Sequence, residues 1–132
     1  AAPGAATTAT ATASTAATVP PPPEAKDNDA YCWLVTQSSG KEAGLVRAHY
    51  AKGRSVFSCK GWSVFTDKDA LAPVSAVTNI GPVESKRGPW GSRYNAEVFL
   101  RAWDAVVSGG RYRDHPWTLK VDADTVFFPG RL

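Results

Sequence analysis

The chain has 132 residues, a formal charge of +3 and two cysteines, and all five of its tryptophans lie after residue 29. Residues 1–29 are mostly Ala, Thr and Pro, ending in Pro20-Pro21-Pro22-Pro23. They offer no apolar periodicity, so they are expected to form a disordered linker or a mucin-like stalk with a stiff polyproline spacer. Residues 30–132 are enough for one small domain. No run of about 18 apolar residues spans a membrane, and no basic start with a Leu-rich center marks a signal peptide. The first residue is Ala and Leu132 follows directly on an apolar strand, so the chain is expected to be a fragment, with any membrane anchor upstream.

Tyr31-Cys32-Trp33-Leu34-Val35-Thr36 reads as a buried strand closing at Gln37-Ser38-Ser39-Gly40. Lys41 to Lys52 predicts a helix with Ala43, Leu45, Val46, His49 and Tyr50 on one face and Gly53 as its cap. Ser55 to Cys59 is an apolar link. Trp62 to Asp67 alternates as a second strand, and Val74 to Val83 suggests a third, broken by Gly81-Pro82. Glu84 to Gly91 reads as a polar, basic loop. Ser92 is the expected N-cap of a second helix, in which Ala96, Phe99, Ala102, Trp103 and Val106 recur at helical spacing until Gly109-Gly110. A turn over Arg111 to Pro116 then leads into the run Trp117 to Phe128. Trp33, Phe65, Phe99, Trp103, Val126 and Phe128 are expected in the core, and Trp90, between Pro89 and Gly91, is expected to be exposed.

The order β-α-β-β-α-β predicts an α/β fold with a mostly parallel, Rossmann-like sheet, flanking helices and ligands at the strand carboxyl ends. Thr36, Asp67 and the pair Asp122/Asp124 fall at such ends. Two carboxylates inside an apolar run cost several kcal/mol unless they are paired or reach a cation, so a hard divalent ion, Mg²⁺ or Mn²⁺, is the candidate. Lys120 projects to the same side of its strand as Asp122 and is equally suited to pairing with that acid. His49 reads as a packing residue and His115 as a connector. Lys86, Arg87 and Arg93 read as a solvated basic loop, or as a surface for phosphates or an acidic acceptor. No Ser/His/Asp ordering, Gly-x-Ser-x-Gly elbow, phosphate loop, Cys-x-x-Cys or nucleic-acid motif occurs.

Trp117 to Leu132 resembles the metal-site segment of inverting GT-A glycosyltransferases of the fringe and core 1 β1,3-galactosyltransferase group, whose pattern is roughly Trp-x-Leu-Lys-x-Asp-Asp-Asp-Thr. Cys32 to Thr36 and Cys59 to Asp67 are similar to that group's first two strands, and the helix with Phe99 and Trp103 is similar to the one before the metal site. Protist proteins with the same Cys, His-x-Trp-Thr-x-Lys-Val-Asp and Val-Phe-Phe-Pro landmarks are also similar. Ala123 stands where the family carries its middle Asp, and the acceptor half of the family's domain has no counterpart here.

The resemblance implies a GT-A type sheet, present in part, forming the donor-binding half of a metal-dependent enzyme. That enzyme would transfer a hexose from a nucleotide sugar, most simply a UDP-sugar, to a hydroxyl of a glycan or glycoprotein acceptor, with its base beyond Leu132. It implies Asp124 as direct ligand of Mn²⁺ or Mg²⁺, Asp122 at the metal's waters or the ribose, Thr36 and Asp67 near the nucleotide, and Lys120 beside the donor. It implies a Cys32–Cys59 disulfide, against the alternative of two buried thiols, and a type II parent in the Golgi lumen of the secretory pathway. The rival is a non-catalytic relative kept as an interaction or structural module. A basic nucleic-acid-binding domain is a weaker third reading.

Overall fold

The computed structural model describes residues 29–84, 86–91 and 93–131, without the side chains of Lys86, Arg93 and Tyr94. Of the tail expected over 1–29, residues 1–28 with their polyproline run lie outside the described residues, as does the proposed N-cap Ser92. So do any contacts of the Lys86 and Arg93 side chains.

The apolar run at the start of the domain forms β1 (Ala30–Val35). α1 (Gly40–Lys52) follows and ends on Gly53, as its cap signal predicts. A single 3₁₀ turn, Ser55–Ser58, leads to β2 (Gly61–Thr66). Then come β3 (Thr78–Asn79), the hairpin strands β4 (Lys86–Arg87) and β5 (Arg93–Tyr94), α2 (Ala96–Gly109) and β6 (Trp117–Lys120).

β3, β2, β1 and β6 lie side by side in that order as one four-stranded sheet, and every pairing in it is parallel. The predicted α/β architecture is therefore present. β1 is the pivot, because its side chains alternate between two cores. Ala30, Cys32 and Leu34 join Ala43, Val46 and Tyr50 of α1 on one face. Tyr31 and Trp33 join Phe65 of β2 and Ala102 and Val106 of α2 on the other. Trp33 is 0 % exposed, and its ring meets Phe65 and Trp103 edge-on, with centroids 5.7 and 4.8 Å apart. Burying a ring of this size stabilises the fold by roughly 3 kcal/mol.

Two fastenings hold the α1 side. Cys32 and Cys59 form a disulfide with their Cα atoms 6.1 Å apart. Arg47 donates from Nε to the Ala72 carbonyl (2.8 Å) and from Nη2 to the Ser38 carbonyl (3.3 Å), tying two loops to α1. At the amino ends of β1 and β2 His115 is half-buried, stacks on Tyr31 at 6.0 Å and places Nδ1 2.9 Å from the Asp29 carbonyl. Its ring lies so close to Gly61 that a Cβ there would sit 2.6 Å from Nε2.

Four sequence expectations need correction. The third strand shrinks to Thr78–Asn79, because Val74 instead closes a turn in which its N–H donates to the Leu71 carbonyl (2.8 Å). Leu45 is exposed, since the buried face of α1 runs through Ala43, Val46 and Tyr50. The basic loop does carry regular structure, the β4–β5 hairpin. Of the residues expected in the core, Trp103 is 45 % exposed, because the buried stripe of α2 runs through Val98, Ala102 and Val106, and Val126 and Phe128 are 68 % and 53 % exposed, because the chain leaves the sheet after β6. Only Phe127 of that stretch packs against the core, so the alternation is inverted.

Reducing the disulfide frees a loop with sequence separation 27, worth about 3.5 kcal/mol in the chain-entropy model. Urea unfolding with and without dithiothreitol should show that loss, and Cys32→Ala with Cys59→Ser should reproduce it. Gly61→Ala should cost about 1–2 kcal/mol by displacing the His115 ring. Because only that ring blocks the new methyl group, the cost should largely vanish in a His115→Ala background, which a double-mutant cycle measures.

Candidate functional site

In a parallel sheet of this kind, ligands bind where the strand order reverses, outside the carboxyl ends of the strands. Here that point lies between β1 and β6. Beyond β1 the Thr36 N–H donates to the Phe65 carbonyl (3.0 Å), and beyond β6 the Val121 N–H donates to the Trp33 carbonyl (2.9 Å). The chain then turns sharply, with the Thr125 N–H donating to the Asp122 carbonyl (3.0 Å). Within this turn Asp122 and Asp124 are exposed, whereas Ala123 is 4 % exposed and joins the α1-side core.

A cleft of about 350 Å³ opens above the turn. Thr36, Lys120, Asp122 and Asp124 all line it, so four of the sequence-predicted site residues come together. Thr36 is buried at the floor, its hydroxyl donating to the Gln37 carbonyl (2.9 Å). Lys120 pairs with Asp122, and its ammonium lies 4.3 Å from the center of the Phe99 ring. The expectation that Lys120 has a neighbouring acid as partner is met.

Asp67 stands apart. It is not among the residues lining the cleft; its Oδ1 instead accepts from the Ser38 N–H (2.9 Å) and from the Thr66 hydroxyl (3.2 Å). Partial burial pushes its carboxyl up, but the hydrogen bonds outweigh this and hold it below the usual aspartate range. This carboxylate ties the β1–α1 loop to the end of β2.

Glu42, in the first turn of α1, was missed in the sequence and also lines the cleft. Partial burial pushes its carboxyl above the usual glutamate range, and the Asp124 and Asp122 carboxylates push it the same way. The available signal was its position: the first turn of a helix that directly follows β1 must lie at the strand carboxyl ends.

Among the described residues no three His, Cys, Asp or Glu side chains converge as a ready ligand cage. The donors present nonetheless fit a hard divalent ion. Such an ion takes carboxylate oxygen, and Mg²⁺ in particular is commonly held by one or two carboxylates with water and phosphate completing its sphere. Burial does most to raise the Glu42 pKa, and the Asp124 and Asp122 carboxylates add to it although Lys120 is paired with Asp122.

The depressed Asp67 pKa fixes the sign of a pH effect. The unfolded side chain takes up its proton near pH 4 and the folded one only at lower pH, so its contribution is whole above about pH 5. That contribution is lost as pH falls through the folded value. Asp67→Asn should therefore be less stable than the parent at pH 7, and the gap should close as urea unfolding is repeated toward pH 2.

Known protein families, curated proteins and solved structures were compared with the chain and none matches, so the functional reading rests on this geometry and on the sequence.

Proposed function

We propose that the chain is the donor-binding half of a metal-dependent glycosyltransferase that moves a hexose from a nucleotide sugar, a UDP-sugar, to a hydroxyl of a glycan or glycoprotein. One observation carries the reading: Asp122 and Asp124 project from a single tight turn into a cleft at the β1–β6 switch point. Asp124 and Asp122 would hold Mn²⁺ or Mg²⁺, and the bound ion supplies neutralisation of the charge that grows on a departing diphosphate. Lys120 orients Asp122 through their ion pair and is itself steadied by the Phe99 ring. Thr36 closes the floor beneath the ligand. Glu42 adds a carboxylate able to accept a hydrogen bond from a ligand hydroxyl. Deprotonating the acceptor needs a base, and no residue of this cleft is assigned that role. The Cys32–Cys59 disulfide supports an oxidising, secretory setting.

The pairing of Asp122 with Lys120 favours one alternative, a non-catalytic module in which the acid is purely structural. Calorimetric titration of the full chain with UDP, with and without Mn²⁺, separates the two. The donor-site reading expects metal-dependent binding that Asp124→Ala weakens about tenfold or more, equivalent to about 1.4 kcal/mol. Binding that ignores Mn²⁺, or that persists unchanged in Asp124→Ala, would sink it and leave the structural module.

A further inference from the structure

Trp90 is 102 % exposed, so its indole gains nothing from the fold. Its backbone is also unfavourable, at φ 53° and ψ 36°, in the left-handed region that bulky residues rarely enter. Gly91 follows at φ 75°. Within the five-residue loop that joins β4 to β5, Trp90 and Gly91 thus take positive φ in succession, a backbone whose first position suits Asn and whose second suits Gly. A tryptophan at the first is disfavoured twice, by exposure and by conformation. Residues held this way cluster at functional sites, where a ligand recovers what the fold does not.

The place of the hairpin says which ligand. Trp90 sits at the tip of β4 and β5, and the residues flanking the hairpin, Val83 before it and Asn95 after it, both line the cleft. At about 3.3 Å per residue, the tip stands within roughly 16 Å of Asn95. A ligand bound in the cleft and extending outward by a few sugar units spans that distance. Pyranose rings carry C–H bonds on one face and hydroxyls around the rim, so they match a flat, exposed, electron-rich ring. Arg87, also exposed, offers guanidinium donors to such hydroxyls from the adjoining strand. A membrane surface fits less well, because Gly88, Pro89 and Gly91 beside the indole bring little apolar surface to insert.

We infer that Trp90 is a saccharide-stacking residue, which takes the C–H face of a pyranose in the acceptor glycan as that glycan leaves the cleft. The assignment rests on the glycosyl-transfer reading above and names the acceptor side of the same site.

Saturation-transfer NMR of the full chain tests it, with lactose and N,N′-diacetylchitobiose as probes and neither metal nor nucleotide present. Saturation should reach the C–H protons of one ring face in at least one probe. Trp90→Asn should reduce it by about fivefold or more, with Tm unchanged or raised because Asn tolerates the left-handed backbone at this position. Trp90→Phe, which keeps a ring, should retain part of the signal. Transfer to neither probe, or transfer that survives Trp90→Asn, overturns the assignment. A clear fall in Tm for Trp90→Asn makes the residue structural and overturns it as well. So does Trp90-dependent sedimentation with phosphatidylcholine–phosphatidylserine vesicles in the absence of sugar contact. UDP binding without sugar contact removes only the Trp90 role, whereas sugar contact without UDP binding removes only the donor-site reading.

Discussion

β1 is hydrogen-bonded along both edges and buried on both faces, and the rest of the molecule is arranged around that constraint. β2 occupies one edge and β6 the other, so its backbone groups are satisfied without solvent. Its side chains are divided strictly: Cys32 and Leu34 belong to the α1 side, Tyr31 and Trp33 to the α2 side. A slip of one residue would exchange Cys32 with Trp33, breaking the disulfide and forcing an indole against α1. Register is thus pinned covalently as well as by packing, and the turn after β6 inherits its position from that register.

The sequence makes legible those parts where one pattern has no competitor. Six apolar residues ending in a polar Gly-containing loop have few options besides a buried strand, and the three- and four-residue spacing from Ala96 to Val106 has few besides a helix. Val74 could continue a strand or close a turn, and the local hydrogen bond to Leu71 wins. Val126 and Phe128 follow an alternation like that of a strand, but the turn at Asp122 shifts the phase, and only the tertiary structure records the shift. The same distinction divides the site. That Thr36, Asp67 and Asp122 stand at strand ends follows from the sequence; that β2 lies on the far side of β1 from β6 does not, so Asp67's work on the loop was not visible. Glu42 was hidden for a plainer reason: an acid in the first helical turn reads equally well as a solvated residue complementing the helix dipole.

Lys120 joins elements that the sequence leaves separate. Its ammonium lies over Phe99 of α2 and meets Asp122 in the turn, so the helix on one face of the sheet reaches the cleft through a cation held between a ring and a carboxylate. Both lines of contact run through exposed or half-buried atoms, where an isolated ion pair contributes at most about 1 kcal/mol. Its consequence is therefore orientation more than stability. Asp122 is turned toward Lys120, leaving Asp124 as the carboxylate without a cation beside it among the described contacts.

Ala123 decides how that arrangement is possible. The turn alternates outward, inward and outward, and its inward member packs with Val121 and Phe127 in the α1-side core. A carboxylate at that position would be carried into an apolar cluster at a cost of several kcal/mol unless the turn opened to release it. Alanine lets the turn close tightly and leaves its two carboxylates facing the cleft. The cleft then holds Asp122, Asp124 and Glu42 against one cation among the described residues, Lys120, and the two aspartates add to the rise that burial gives the Glu42 pKa. Like charges gathered in one cleft repel an incoming anion. On the reading proposed above, an anionic diphosphate faces that repulsion from several groups at once, and a divalent cation is the simplest species that reverses its sign. Ala123 thus leaves the turn with the two outward-facing carboxylates that it can present without disturbing the core.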